Sequence, residues 1–331
     1  MKSKTLLVSI GLPIAILAAA LTAAIALGGP GAPPPMSSIN DPFKGVSFEG
    51  LPALSRFTAR DGVALAYRAY APGTATSATP ARGSAVLVHG SSASSNSMHP
   101  LAQAFAQAGY AVFALDIRRH GESGTKGRIG YVGQLEDDLE DFVKAVSPPK
   151  PATLAGFSAG GGFAMRLAGS PRKRLFQNYL FLSSFIGHNA PTYRPDSGGW
   201  VSVGLPRIVA ISLLNAVGVR AFNDLPVSRF ALNEQARAFL TPEYSYALVS
   251  NFRPKSDYVQ NIKAMELPAQ VLAGTKDEAF FTDRLEQVFR SAGSAIHVTL
   301  IPEVGHIPLT LDAKAIAAAL KAVESMRPGG I

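Results

Sequence analysis

The chain has no cysteine among its 331 residues. This absence excludes disulfide bonds, thiolate metal sites and cysteine nucleophiles, and it excludes a lipoprotein, whose anchor is an acylated cysteine. A nucleophile in this protein is therefore expected to be an oxygen atom that a neighbouring base activates.

Charged residues are scarce as well, at 16% of the chain, whereas apolar residues reach 47%. The formal net charge is +8, but the Lys and Arg residues are dispersed and form no basic stripe of the kind that nucleic-acid-binding proteins carry. Nucleic acid is therefore not an expected partner. The apolar content suffices for one large α/β domain, or for two small domains at most.

A long apolar run lies at the N-terminus, from Leu6 to Leu27, directly after Lys2 and Lys4. As a helix rising about 1.5 Å per residue, it can cross a hydrocarbon core of about 30 Å. Residues 1–28 are therefore predicted to be a transmembrane signal anchor, with the rest of the protein exported to the extracytoplasmic side of the membrane. The alternative is cleavage at the small-residue site Ala24-Ile25-Ala26, which would leave a secreted or periplasmic protein.

Residues 29–45, which begin with a Pro- and Gly-rich stretch, are predicted to be a linker, and residues 46–331 one folded domain. Strand-like and helix-like segments alternate in that domain after an opening hairpin with Asp61-Gly62 at its turn. The predicted strands are Phe57–Ala59, Val63–Tyr70, Ala85–Val88, Ala111–Leu115, Ala152–Ala155, Tyr179–Leu182, Ala269–Ala273 and Ile296–Ile301. The alternation predicts an α/β fold with a mostly parallel, doubly wound sheet.

Residues from about 185 to 264 interrupt this alternation between the sixth and seventh predicted strands. Apolar residues such as Trp200, Ile208 and Leu213 recur there at helical spacing. The segment is predicted to be an α-helical cap over the strand ends, and its apolar character suits an acyl chain better than a charged peptide terminus.

The sequence Gly156-Phe157-Ser158-Ala159-Gly160 follows one predicted strand and precedes a predicted helix. Gly-x-Ser-x-Gly at such a turn is typical of a nucleophile elbow, although so short a pattern also arises by chance. Residues that follow parallel strands converge at one edge of the sheet. Asp277 and His306 follow the last two predicted strands, and the order Ser, acid, His is the one that α/β-hydrolases use.

These residues suit acyl transfer at Ser158. His306 is the candidate base for the Ser158 hydroxyl, and Asp277 is the candidate carboxylate that orients the imidazole. The backbone N–H groups of Ala159 and Ser91 are the candidate oxyanion donors, because one begins a helix and the other lies in the loop after the third strand.

Other acidic and basic residues compete for these roles. Glu278 and Asp283 are alternative acids, but Asp283 suits the N-cap of the next helix. Asp116 also ends a strand, but the charged residues after it indicate a structural loop, and His89 is interpreted as support for the oxyanion loop. The acidic run Glu136–Asp141 is predicted to lie on a solvated helix face without a chemical role.

Several segments together resemble the serine α/β-hydrolases, in particular the lysophospholipase and monoacylglycerol-lipase-like group, also called serine aminopeptidase-like hydrolases. The resemblance rests on Leu87–Ser91, Leu115–Ser123, the elbow, Val271–Asp277 and Gly305–His306. It covers about Phe57 to Arg327 apart from the predicted cap, and it implies an α/β-hydrolase fold with the cap between strands 6 and 7. The chain departs from the family in having Arg119 where glycine is usual, and in the serine-rich loop Ser91–Ser95.

The expected reaction is hydrolysis of a carboxylic ester through an acyl-serine intermediate, without a metal or another cofactor. The favoured substrate is a lipid-like ester such as a monoacylglycerol or a lysophospholipid, which the membrane anchor would keep nearby. The alternatives are an amidase or peptidase, a hydrolase of small soluble esters, and a non-catalytic binding protein with this fold.

Overall fold

The computed structural model describes residues 2–73 and 80–327, with side chains from residue 12 onward. The strands in this part of the chain are β1 (Leu54–Thr58), β2 (Ala64–Tyr70), β3 (Ser84–Val88), β4 (Ala111–Leu115), β5 (Ala152–Phe157), β6 (Asn178–Leu182), β7 (Val201–Val203), β8 (Pro226–Phe230), β9 (Glu243–Ser245), β10 (Ala269–Gly274) and β11 (His297–Ile301). The helices are α1 (Lys2–Leu27), α2 (Ser37–Asn40), α3 (His99–Gln107), α4 (Gln134–Val146), α5 (Ala159–Ala168), α6 (Leu205–Ala216), α7 (Glu234–Phe239), α8 (Tyr246–Asn251), α9 (Tyr258–Lys263), α10 (Leu285–Ser291) and α11 (Ala313–Ser325).

Eight strands form the central sheet, in the order β1-β2-β4-β3-β5-β6-β10-β11. The first two pairings, β1 with β2 and β2 with β4, are antiparallel, and the other five are parallel. Strands β3, β5 and β6 are buried along their whole length, as expected for parallel strands that helices cover on both faces. The predicted α/β-hydrolase fold with a mostly parallel sheet is confirmed.

The chain between β6 and β10 forms the predicted insertion over the strand ends. Besides helices α6 to α9, it contains a second, antiparallel sheet in the order β7-β8-β9, which the sequence analysis did not predict. These strands are too short to show a clear alternation of apolar and polar residues, and the apolar residues beside them recur at helical spacing. We call residues 183–268 the cap.

The described residues contain no helix that combines the length and apolarity required to cross a membrane. This finding overturns the predicted transmembrane signal anchor in residues 1–28, and with it the predicted exported, membrane-anchored location. The end of α1 packs on cap helix α6, where Arg207 donates from Nε to the carbonyl of Ile25 at 2.8 Å and from Nη2 to that of Ala26 at 3.2 Å. Earlier in α1, the side chains of Leu12, Ile14 and Leu17 are exposed.

Part of the predicted linker, residues 29–45, lies against the cap. The backbone N–H of Met36 and the side-chain Nδ2 of Asn40 both donate to the carbonyl of Ala231 at 3.0 Å. Ile39 of α2 is buried in the core. Because this segment supplies its own hydrogen bonds and an apolar anchor, it differs from the flexible spacer that its composition predicts.

The acidic run on α4 also differs from its prediction. Glu136, Asp137 and Asp138 are buried rather than solvated. Each contacts a basic side chain from another part of the chain, and the pairs are Glu136 with Arg166, Asp137 with Arg60 and Arg172, and Asp138 with Arg118. The predicted solvated face is therefore wrong. The arginines that approach these carboxylates come from distant positions, so the sequence gives no local sign that the carboxylates are covered.

Replacing Arg118 with alanine is expected to destabilise the protein by about 3 kcal/mol at pH 7, because a buried carboxylate loses its partner. The Arg118 guanidinium donates to both oxygens of Asp138, at 2.8 and 2.7 Å. Burial raises the pKa of Asp138 to about 6 even though Arg118 opposes that shift. Without Arg118 the pKa rises further, so Asp138 of the variant takes up a proton at a higher pH than in wild type, and the loss shrinks as the pH falls towards about 6.

Urea unfolding at pH 7 and pH 5 measures this effect. Arg60→Ala is the matched control, because Arg60 pairs with three acidic residues of α4 but its side chain is 42% exposed. A loss of about 1 kcal/mol or less is expected there. Equal losses for the two variants, or a loss for Arg118→Ala that does not shrink at pH 5, would contradict the interpretation.

Candidate active site

Ser158 occupies the sharp turn between β5 and α5. Its backbone lies at φ 55° and ψ −119°, a conformation that L-residues rarely adopt. The flanking glycines permit it: a Cβ on Gly156 would lie 2.2 Å from the carbonyl oxygen of Gly160, and one on Gly160 would lie 2.3 Å from that of His89. The local sequence thus gives the tight turn that raises the Ser158 hydroxyl at the strand ends.

The structure brings the three predicted site residues together in one buried hydrogen-bonded chain. Nε2 of His306 lies 3.0 Å from Oγ of Ser158, and Nδ1 of His306 lies 2.8 Å from Oδ2 of Asp277. With its proton on Nδ1, the neutral imidazole donates to Asp277 and accepts from the serine hydroxyl. Rings of Phe157 and Phe280 flank the imidazole, with centroids 4.8 and 5.2 Å away.

The second oxygen of Asp277 is also held. Its Oδ1 accepts from the backbone N–H groups of Ala279 and Phe280 at 2.8 and 2.9 Å. Burial by itself would raise the pKa of Asp277, but the positive charge that His306 carries when it is protonated, its hydrogen bond, and the Phe280 N–H outweigh burial and hold the pKa below its usual value. The carboxylate is therefore ionised and fixed in orientation.

The competing acids lie in other roles. Glu278 accepts from the backbone N–H of His306 at 3.0 Å, and Asp116 accepts from the N–H groups of Ser95 and Glu122. Asp283 is exposed and lies inside a 3₁₀ turn, while Arg284 precedes α10 without a side-chain cap. The predicted N-cap role of Asp283 is therefore wrong, since the extra turn moves the start of the helix to Leu285.

The two predicted oxyanion donors lie beside Ser158. Ser91 and Ala159 border the same cavity as the serine, and the helix that begins at Ala159 provides no internal acceptor for its N–H. Trp200 of the cap donates from its indole nitrogen to Oγ of Ser91 at 2.8 Å. Sequence reasoning missed this contact, although Trp200 is the one tryptophan of the chain.

The serine-rich loop after β3 is tied to the cap. Ser92 donates from its hydroxyl to the carbonyl of Thr241 at 2.6 Å and from its backbone N–H to the hydroxyl of Tyr244 at 2.5 Å. The Tyr244 hydroxyl lies 2.5 Å from Nε2 of His120, and burial lowers the pKa of His120 far below its ordinary value, so that ring is neutral. The loop that carries Ser91 is therefore held from both the sheet and the cap.

His89 contacts the same loop through backbone groups. Its Nδ1 lies 2.7 Å from the carbonyl of Gly90, and its Nε2 accepts from the N–H of Ile117 at 3.3 Å. Burial lowers its pKa. Arg119, where the family resemblance implies glycine, adopts φ 70°, a conformation that glycine reaches without strain.

Two cavities meet at Ser158. The larger has a volume of about 340 Å³ and the smaller about 90 Å³, and Ser91, Ser158, Trp200 and His306 border both. Apolar side chains dominate the walls of each, and neither is lined by an Asp or Glu. Across residues 2–73 and 80–327, no cluster of His, Asp or Glu could hold a metal ion.

The N-terminal segment forms part of the larger cavity. Ile39, Phe43 and Phe48 line it together with Phe239 of the cap. Sequence reasoning missed these residues because a Pro- and Gly-rich stretch precedes them and hides the apolar side chains that follow. The sequence does show two apolar residues at helical spacing there, Ile39 and Phe43, which indicate a packed rather than a flexible segment.

Comparison with known proteins gives the family. The model of the family described as serine aminopeptidase, S33, matches residues 79–310. The chain is 36% identical over 112 residues to a monoacylglycerol lipase of Mycolicibacterium smegmatis, a match that spans 32% of this chain and 38% of that lipase.

Solved structures share the fold. A soluble variant of monoglyceride lipase from Saccharomyces cerevisiae, in complex with a substrate analogue, has a TM-score of 0.62 at 19% identity, over 82% of this chain and 93% of that one. A thermophilic esterase from Thermogutta terrifontis has a TM-score of 0.57 at 16% identity, over 83% of this chain and 100% of that one. The chain belongs to the S33 serine aminopeptidase family of α/β-hydrolases.

Proposed function

We propose that this protein is a serine hydrolase that cleaves carboxylic esters through an acyl-serine intermediate on Ser158. The observation that supports this most directly is the buried chain from Ser158 through His306 to Asp277, at the point where two apolar cavities meet. A serine hydroxyl attacks an ester readily only when a base removes its proton during the attack.

The proposed reaction has two halves. Oγ of Ser158 attacks the ester carbonyl while Nε2 of His306 takes the hydroxyl proton, and Asp277 stabilises the imidazolium that forms. The N–H groups of Ser91 and Ala159 bind the negative oxygen of the tetrahedral intermediate. His306 then donates its proton to the departing alcohol, and a water molecule activated in the same way releases the acid from Ser158.

The cavity walls favour an apolar ester over a peptide. An aminopeptidase must bind the ammonium group of its substrate, which calls for a nearby carboxylate, and neither cavity is lined by one. A lipid-like acyl ester, of the lysophospholipid or monoacylglycerol type, suits the larger cavity, since each buried methylene contributes about 0.8 kcal/mol.

Matched substrates test this proposal. We expect p-nitrophenyl esters from acetate to laurate to be hydrolysed, with kcat/KM constant or rising with chain length, and the corresponding p-nitroanilides to react at least about 100-fold more slowly. Preference for an amino-acid anilide with a free amino group would instead indicate a peptidase. A steep fall of kcat/KM with chain length would indicate a hydrolase of small esters.

Phe239→Ala should reduce activity in proportion to acyl length. Phe239 borders the larger cavity but is 76% exposed, so its removal shortens the apolar wall without opening the core. We expect little change with acetate and about a tenfold rise in KM with laurate, equivalent to one or two methylenes left in water. Val217→Ala is the control, because Val217 is equally exposed on the cap and lines neither cavity. Equal effects of the two variants, or an effect independent of acyl length, would contradict this use of the cavity.

A further inference from the structure

The smaller cavity contains an arginine without a partner. Arg253 follows α8 and borders this cavity together with Ser158. Its neighbours fix it in place: Phe252 is buried against Phe163, and Pro254 packs on Gly162 at the start of α5. A cation is thus held at the wall of an otherwise apolar cavity.

No carboxylate among the described residues pairs with Arg253. Its Nε is buried and makes no hydrogen bond to any described residue. Burial lowers the pKa of Arg253, Tyr246 opposes that shift, and the positive charge of Arg166 adds to it. Arg166 itself pairs with Glu136, and Asn251 donates to the same carboxylate. Arg253 is half-buried, and a guanidinium that lies at an apolar cavity wall without a counter-charge favours an anionic ligand.

Two further polar groups line the same cavity. Ser228 in β8 is only 4% exposed, and its hydroxyl makes no hydrogen bond within the described residues. His188 also borders the cavity. Burial and then the charge of Arg253 lower the pKa of His188 to about 4, so the ring is neutral at pH 7 and adds a hydrogen-bonding group without a second charge.

We infer that the smaller cavity binds an anionic group of the substrate, a carboxylate or a phosphate, through Arg253 and the Ser228 hydroxyl. This inference rests on the proposed function and refines it: the ester would carry its apolar acyl chain in the larger cavity and a negative charge close to the scissile bond. The planar guanidinium matches the paired oxygens of either anion. A neutral monoacylglycerol would leave Arg253 and Ser228 without partners.

Two pairs of esters distinguish the possible sources of the charge. The first pair, 1-lauroylglycerol and 1-lauroylglycerol 3-phosphate, places it on the alcohol side. The second pair, phenyl hexanoate and phenyl hydrogen adipate, places it on the acyl side. For at least one pair we expect wild type to favour the anionic ester, and Arg253→Gln to lower the anionic-to-neutral ratio of kcat/KM by about 10- to 100-fold, mainly through KM.

Two variants complete the comparison. Arg253→Lys should retain part of the preference, since it keeps the charge but not the two-pronged geometry. Arg220→Gln changes the net charge equally, but Arg220 lies exposed on the cap and borders neither cavity, so it should leave the ratio unchanged. An equal loss on neutral and anionic esters in Arg253→Gln, or no preference in wild type, would overturn the inference.

A binding measurement separates this inference from the proposed catalysis. In a Ser158→Ala background, calorimetric titration with 1-lauroylglycerol 3-phosphate and with phenyl hydrogen adipate should show binding of at least one of the two anions. Adding Arg253→Gln should weaken that binding about tenfold or more. Binding that depends on Arg253 without hydrolysis in wild type would refute the proposed function and leave the anion site standing. Hydrolysis whose selectivity and binding ignore Arg253 would refute the anion site alone.

Discussion

Replacing Ser158 with alanine is expected to lower kcat/KM for p-nitrophenyl esters by about 10⁴-fold or more, with little effect on folding. The substitution removes the only group proposed to bond to the acyl carbon, and hydrolysis that remains would come from oxyanion donors and bound water. Steady-state kinetics give the loss, and circular dichroism with thermal unfolding shows whether the fold is intact. Stability should hold or rise slightly, since alanine lacks a hydroxyl to bury.

Ser170→Ala is the matched control for this variant. Ser170 lies just after the C-terminal end of α5, opposite the elbow at its N-terminal end, and donates to the carbonyl of Leu167 at 2.8 Å. Its kcat/KM should stay within about twofold of wild type, as for most substitutions outside an active site. If Ser158→Ala retained more than a tenth of wild-type activity, Ser158 would not be the nucleophile.

Asp277→Asn is expected to reduce kcat by about 10⁴-fold while KM changes little. The amide cannot stabilise an imidazolium, and it can donate to Nδ1 of His306, which favours the tautomer whose Nε2 carries the proton and cannot accept from Ser158. The tautomer of His306 depends directly on this side chain, because Oδ2 of Asp277 lies 2.8 Å from Nδ1 of His306. Kinetics with the butyrate ester, and NMR of the imidazole protons, measure the loss and its cause.

Neighbouring acids provide the comparison for Asp277. Asp283→Asn should leave kcat within about twofold, because Asp283 is exposed and lies in the turn before α10. Glu278→Gln should cost less than about tenfold, since the glutamine oxygen can still accept from the backbone N–H of His306. A larger loss for either of these than for Asp277→Asn would reassign the orienting carboxylate.

The sheet and the elbow could be predicted from the sequence because their determinants are local. Short apolar runs such as Ala85–Val88 and Ala152–Ala155 correspond to strands β3 and β5, which are buried throughout. Glycines at 156 and 160 are required by contacts within the turn itself. The proximity of Asp277 and His306 to Ser158 followed from strand order, because parallel strands present their carboxyl ends at one edge.

The remaining features depend on distant partners, which a sequence does not display. Arg118 and Arg166 cover the acidic face of α4, which its sequence predicts to be solvated. The residues next to α4 in the sequence do not indicate that these arginines pair with it. Trp200 reaches Ser91 across 109 positions of the chain. Likewise, the composition of residues 29–45 indicated a spacer, whereas Ile39 is buried and forms part of a cavity wall.

The membrane prediction failed for a related reason. No helix in the described part of the chain meets the requirements for a membrane crossing, and a hydropathy pattern does not show contacts with distant residues. Arg207 of α6 contacts two carbonyls near the end of α1. A contact of this kind arises from the folded cap and has no counterpart in the hydropathy of the run.

Covalent labelling tests the central claim most directly. Wild-type protein would be treated with a fluorophosphonate, which phosphonylates activated serines, and the adduct would be mapped by peptide mass spectrometry. The account predicts one adduct, on Ser158, absent from Ser158→Ala and formed at least about 100-fold more slowly in Asp277→Asn. An adduct on another serine, or labelling of Ser158→Ala at the wild-type rate, would contradict it.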